Sequence, residues 1–238
     1  MTRLITHLRH VDLAVPDYEA QRSFYTDLWG LTEVANDSGL SFLAAEGSTE
    51  PFVVRVRQAD EKRVDLIALG AANRADVDAL AARLGSAGVQ LVSEPGALTT
   101  HGGGYGFRFF DGDGRTIEVS CDVEERRARE IEPLESVPVK LSHVVLNSAN
   151  PEATVAWYLQ HLGVAVSDQL TMPGMGDLMW FLRCNSFHHS FAVVRCMHNS
   201  LHHVSFVMRG VEENLYGTGR LLRAGVERVW GPGKHLAG

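Results

Sequence analysis

One stretch of this chain is written twice, and that repeat constrains the fold more than any other feature. Leu8-Arg9-His10-Val11-Asp12-Leu13 leads through Pro16-Asp17 to Ser23-Phe24-Tyr25-Thr26-Asp27-Leu28-Trp29-Gly30-Leu31. It returns as Leu141-Ser142-His143-Val144-Val145-Leu146, Asn150-Pro151-Glu152 and Ala156-Trp157-Tyr158-Leu159-Gln160-His161-Leu162-Gly163-Val164. Tyr25 and Tyr158 each follow their histidine by 15 residues, and Gly30 and Gly163 by 20, without a gap. Each copy reads as a short strand and then a helix. Asp17 or Asn150 caps it, Pro151 suits its first turn and a glycine ends it.

Three strand-like runs follow the first helix, around 31–34, 40–45 and 51–56, separated by turns at Asn36-Asp37-Ser38-Gly39 and Glu46-Gly47-Ser48. A second unit of the same kind starts at Arg63-Val64-Asp65-Leu66, continues as a helix over about 75–86, and ends in strands near 89–92, 106–110 and 116–120. Arg63-Val64-Asp65-Leu66 is laid under His203-Val204-Ser205-Phe206. Ala87-Gly88-Val89 and Glu94-Pro95-Gly96 lie under Ala224-Gly225-Val226 and Gly231-Pro232-Gly233. Each half is therefore itself expected to be a doubled β-α-β-β-β unit, giving an α+β chain of two similar domains. Residues 1–132 form the first, 133–140 a linker and 141–238 the second. The run Asp122 to Lys140, rich in charge and holding Pro133 and Pro138, predicts a connector with a helical turn and then an extended stretch.

The net charge of −7 comes with no Lys/Arg stripe, so neither nucleic acid nor an anionic membrane is an expected partner. A small molecule is. No run approaches 18 uninterrupted apolar residues, and the N-terminus lacks a secretion pattern, so a soluble cytoplasmic protein is expected. Cys121, Cys184 and Cys196, odd in number and not closely paired, fit a reducing compartment and structural thiols. Histidine is the unusual residue: 11 in all, eight of them beyond residue 140.

A histidine on a half-buried strand face is usually a satisfied structural residue. His143 and His203, however, take equivalent strand positions in adjacent units, and that raises the odds of a shared metal. In the first half those positions hold His10 and Arg63, and a guanidinium cannot ligate a metal, so the first copy is expected to be metal-free. His188 and His189 would face opposite ways on a strand, and a slip of one residue would exchange them. His202 is the outward alternative to His203, and His161 and His198 read as surface residues. Trp180 and Phe181 could wall an aromatic pocket, although core packing is the commoner role of such side chains.

The paired modules resemble the type I extradiol ring-cleaving dioxygenases of the vicinal oxygen chelate superfamily over nearly the entire chain. Leu141-Ser142-His143-Val144-Val145, Leu201-His202-His203-Val204-Ser205-Phe206 and the closing strand Asp111-Gly112-Asp113-Gly114-Arg115-Thr116-Ile117-Glu118 carry that resemblance. A non-ligand family histidine lies 14 residues before the second metal histidine, here at His189. Another follows a Gly-Pro-Gly-basic turn, here at His235 after Gly231-Pro232-Gly233-Lys234. The resemblance implies curved mixed sheets, each enclosing a cavity with helices outside. It further implies an Fe(II) centre, with Mn(II) as an alternative, bound by His143, His203 and a glutamate. That glutamate, counterpart of Glu118, is expected about 17 residues past Gly238 by the repeat logic. His189 would move protons, His235 would contact substrate, and His235, Phe181 and Trp180 would line the substrate side. Substrates would be a catechol and O2, and the protein a homo-oligomer. Two other readings share the fold: a glyoxalase-like metal-dependent isomerase or lyase, and a non-catalytic small-molecule-binding protein.

Overall fold

The computed structural model describes residues 3–174, 176–227 and 231. The chain runs β1 (His7–Val15), α1 (Tyr18–Ser23, continued as a wider π-helical stretch over Phe24–Trp29), β2 (Thr32–Asn36), β3 (Leu40–Ala44) and β4 (Val54–Gln58). The second unit is β5 (Arg63–Gly70), α2 (Arg74–Ser86), β6 (Leu91–Ala97), β7 (Tyr105–Phe110) and β8 (Thr116–Cys121). The third is β9 (Lys140–Ser148), α3 (Pro151–Leu162), β10 (Ala165–Met172), β11 (Gly176–Arg183) and β12 (Phe191–Arg195), and a fourth opens with β13 (Ser200–Val207) and α4 (Val211–Arg223). Three of the expected β-α-β-β-β units are therefore present in full, and the described residues of the fourth supply its first strand and helix. Asp17 accepts from the Ala20 N–H, Asn150 from the Ala153 N–H, and Gly30 and Gly163 close their helices in the left-handed region.

Two sheets result, with strand orders β2-β3-β4-β1-β5-β8-β7-β6 and β10-β11-β12-β9-β13. Both use one plan. The first strand of a unit pairs in parallel with the last, β1 with β4 and β9 with β12, and antiparallel with the first strand of the next unit, β1 with β5 and β9 with β13. Helix α3 covers one face of the second sheet. Val155, Tyr158 and Leu162 meet Val144, Leu146, Trp180, Leu182, Phe191 and Val193 in a core that is continuous with that of the first half.

The turn before β8 joins the halves. Asp111 accepts the backbone N–H of Asp113 and Arg115, and its other oxygen accepts from the fully buried Tyr158 hydroxyl at 2.8 Å. Arg115 binds Asp111 and Asp113 and donates to the Asn147 carbonyl on β9, while Thr154 donates to Asp113. Burial holds the Tyr158 hydroxyl well above its usual pKa, and the neighbouring Asp111 charge adds to this, so it remains a donor.

Residues 122–139 contain no helical turn, contrary to expectation. Their polar groups bind outward instead. The Arg126 and Arg129 N–H groups donate to the Thr49 and Glu46 carbonyls, and Leu134 N–H and the Ser136 hydroxyl bind Glu213 on α4. Gly30 lies against this segment: a Cβ there would approach Val137 Cγ1 to 2.6 Å.

Removing one partner of a buried pair strands the other. Asp111→Ala should therefore destabilise the protein by about 3–5 kcal/mol, and Tyr158→Phe by about 1–2 kcal/mol, both read from urea unfolding midpoints.

Candidate metal centre

The register of the second sheet decides what shares a face. His203 pairs with Val145, Val145 with Ala192, Ala192 with Phe181 and Phe181 with Asp168. These five residues form one row across the sheet, on the side away from α3. His143 lies two residues before Val145 on β9, opposite Ser205, and so points to the same side.

The histidine rings converge there. The His143 centroid is 4.0 Å from His189 and 5.7 Å from His203, and Phe181 meets His189 edge-on at 5.0 Å. His143 and His189 are half-buried and His203 is exposed. Ser142 Oγ lies 3.0 Å from His143 Nδ1, and His202 Nδ1 lies 2.7 Å from His203 Nδ1. Both contacts are made through Nδ1, so a metal held by these two rings would be met by Nε2. A metal–nitrogen bond of about 2.1 Å puts a ring centre roughly 3.2 Å from the ion, so two rings that share an ion stand at most ~6.4 Å apart. The observed 5.7 Å meets that limit, and two neutral imidazoles suit iron(II) or manganese(II).

The first half carries the same row with different residues. Leu66 pairs with Asp12, Asp12 with Arg55, Arg55 with Phe42 and Phe42 with Ala35. The counterpart of His203 is therefore Leu66. Arg63, matched to His203 from the sequence, instead pairs with Ala14. Arg63 aligns with His203 only across a three-residue gap, whereas the spacing of Gly88 and Gly225, carried back without one, gives Leu66. Phe52 stands where His189 does: it lies 4.1 Å from His10 and 4.9 Å from Phe42, matching the trio His143, His189 and Phe181. Glu118 is adjacent, its Oε1 4.0 Å from His10 Nε2. Arg108 holds the Glu118 carboxylate at 2.8 Å, Arg55 holds Asp12 at 2.8 Å, and Asp12 also contacts His10 Nδ1. Both acids are about 1% exposed, so these guanidinium pairings supply the cations that buried carboxylates require.

Three sequence expectations need correction. Trp180 points to the α3 side, in the core, because it alternates with Phe181 along β11. His161 is buried, not superficial: it packs 4.8 Å from Trp157, and burial, with Arg83 nearby, lowers its pKa. His188 and His189 lie in a bend before β12 rather than on a strand, so strand alternation does not choose between them. Proximity does, since it is His189 that lies against His143, while His188 turns towards Asp168. His198 is exposed, as expected. His235 lies outside the described residues.

A family model, Glyoxalase/Bleomycin resistance protein/Dioxygenase superfamily, matches residues 7–119 and 140–238. The chain belongs to this superfamily. Among curated superfamily relatives, the manganese-dependent 2,3-dihydroxybiphenyl 1,2-dioxygenase of Geobacillus genomosp. 3 is 27% identical over 184 residues, which cover 72% of this chain and 58% of the relative. Metapyrocatechase of Pseudomonas sp. (strain CF600) is 27% identical over 199 residues, covering 79% and 64%. The chain thus spans about three fifths of the length of such relatives. Among solved structures, the Mn(II)-bound glyoxalase from Novosphingobium aromaticivorans is 45% identical with a TM-score of 0.94, covering all of this chain and 77% of its own. Homoprotocatechuate 2,3-dioxygenase from Arthrobacter globiformis shares the fold, at 21% identity and a TM-score of 0.84, covering 98% and 73%. No described helix is long and apolar enough to cross a membrane.

The two halves should respond differently to the same change. His143→Ala should abolish stoichiometric manganese or iron binding, whereas His10→Ala should leave it intact, as measured by elemental analysis after dialysis.

Proposed function

We propose that the full-length protein cleaves a catecholic ring beside its hydroxyls, the extradiol mode, with dioxygen. His143 and His203 act as two protein ligands of Fe(II) or Mn(II), and a glutamate equivalent to Glu118 acts as the third. The observation that carries this reading is the convergence of His143, His203 and His189 on one sheet face. The naming of curated relatives as dioxygenases supports it. When bound, a divalent ion would supply a Lewis-acidic, redox-capable centre for the reaction of a catechol with dioxygen.

The chain's own residues do the rest. His189, within ring contact of His143, accepts the catechol hydroxyl proton and returns a proton later, a task that suits an imidazole near neutrality. Phe181 supplies an apolar wall beside it. Val145 and Ala192 make the intervening floor small and apolar where the first half has Asp12 and Arg55. His235 binds a substrate hydroxyl or ring substituent in this reading. Free cysteines at 121, 184 and 196 support a cytoplasmic location, and exposed Val166, Leu170 and Met172 along the outer strand β10 support a homo-oligomer.

A second reading is a glyoxalase-like isomerase or lyase, favoured by the name of the 45% identical structure. Oxygen separates the two. Full-length protein loaded anaerobically with Fe(II) or Mn(II) should consume oxygen and form a yellow ring-opened semialdehyde with catechols. No uptake with any catechol would sink the dioxygenase reading. His189→Phe should lower kcat by about 10²–10⁴-fold with metal content unchanged, and loss of metal would contradict its assigned role.

A further inference from the structure

The sheet face that carries the histidines in the second half borders, in the first half, an open cavity of about 810 Å³. A volume of this size suits a small molecule. Leu13, Val64, Leu66, Val92 and Leu201 give it apolar walls, and Arg55, Lys62, Arg63 and Arg108 line it with cations. Leu66 and Arg55 stand where the second half has His203 and Ala192, so the two faces share a framework and differ in chemistry.

Carboxylates are present too, but they lie deeper than the cations they pair with. The Asp12 side chain is 2% exposed against 19% for Arg55, and Glu118 is 1% exposed against 33% for Arg108. At the rim, Asp65 is again far less exposed than Arg63. A solute that enters the cavity therefore meets guanidinium edges, with the acids screened behind them. Asp113 and Arg115 also line the cavity, but they neutralise each other at 2.8 Å. Pairing does not use up the donors. Asp12 takes Arg55 through Nη2, and Glu118 takes Arg108 through Nε and Nη2, whereas a guanidinium carries five N–H groups. Arg55 Nε is buried and has no hydrogen-bond partner among the described residues.

We propose that this cavity binds a small organic anion, a carboxylate carried on an apolar ring or chain. The carboxylate accepts from the Arg108 and Arg55 guanidiniums, and the apolar body lies against Val64, Leu66 and Val92. A cation would be repelled by the same guanidiniums. A neutral apolar molecule would cover their free N–H groups without offering an acceptor, which is costly. Inorganic phosphate would leave the apolar walls wet. No residue of the histidine cluster takes part, so the site stands independently of the dioxygenase reading.

Calorimetric titration of the full-length, metal-loaded protein with phenylbutyrate and with its uncharged amide tests this. The acid should bind at one site, and the amide should bind more weakly by roughly 10–100-fold. Equal affinities, or no heat from the acid at millimolar concentration, overturn the proposal. His143→Ala should bind the acid as the wild type does; loss of binding there would put the acid on the metal of the second half and overturn the proposal as well. Arg108→Gln should weaken the acid by about ten-fold and leave the amide unchanged. Because that change strands the buried Glu118, Val92 on the cavity wall, 49% exposed, gives a probe that spares the fold. Val92→Glu should weaken the acid by about ten-fold, and the uncharged Val92→Gln should change it little. Acid binding that is unaltered in Val92→Glu, or equally reduced in Val92→Gln, contradicts the site. Oxygen uptake with catechols bears only on the dioxygenase reading, whichever way these titrations fall.

Discussion

The antiparallel pairing of β9 with β13 is the constraint on which the site depends. Val145 opposite His203 and His143 opposite Ser205 put two imidazoles on one sheet face. A slip of one residue would send one of them to the α3 side. The slip is resisted from that side: Val204 on β13, opposite Val144, packs against the core that holds Tyr158, Phe191 and Val193, and a shift of one would turn it away. Packing beneath the sheet thus fixes chemistry above it.

The first half shows the same register filled with different side chains. Its row of Leu66, Asp12, Arg55 and Phe42 replaces His203, Val145, Ala192 and Phe181. The ion pair of Asp12 with Arg55 occupies the floor, and Arg108 compensates Glu118. Phe52 in place of His189 offers no titratable group while keeping the ring contact with His10. The two halves share a framework and differ in the side chains it carries. The buried Asp111, Arg115 and Tyr158 network then locks the two together, which lets the first half serve as a rigid support for the β9 strand.

Much of this was legible in the sequence. The histidine-to-tyrosine and histidine-to-glycine intervals revealed the repeat because they span one strand and one helix, both of fixed rise per residue. The helix caps were readable because Asp17 and Asn150 act locally. What failed was non-local. Arg63 is the exception: the ungapped interval from His203 to Gly225, carried back from Gly88, already gives Leu66, the partner of Asp12, as the counterpart of His203. Trp180 and Phe181 are equally aromatic, and only pairing with Val193 and Ala192 tells which faces the site. The connector looked helical because Glu124 to Glu130 favours a helix on composition, yet its arginines find carbonyls and carboxylates on the 45–49 loop instead.

The central claim is that one divalent ion is held in the second half by nitrogen from both His143 and His203. Electron–nuclear double resonance of the Mn(II)-loaded full-length protein measures this directly. Two distinct imidazole nitrogens bonded to manganese are expected, one of which disappears in His203→Ala. A spectrum with no directly bonded nitrogen, or one unchanged by that substitution, would contradict the account.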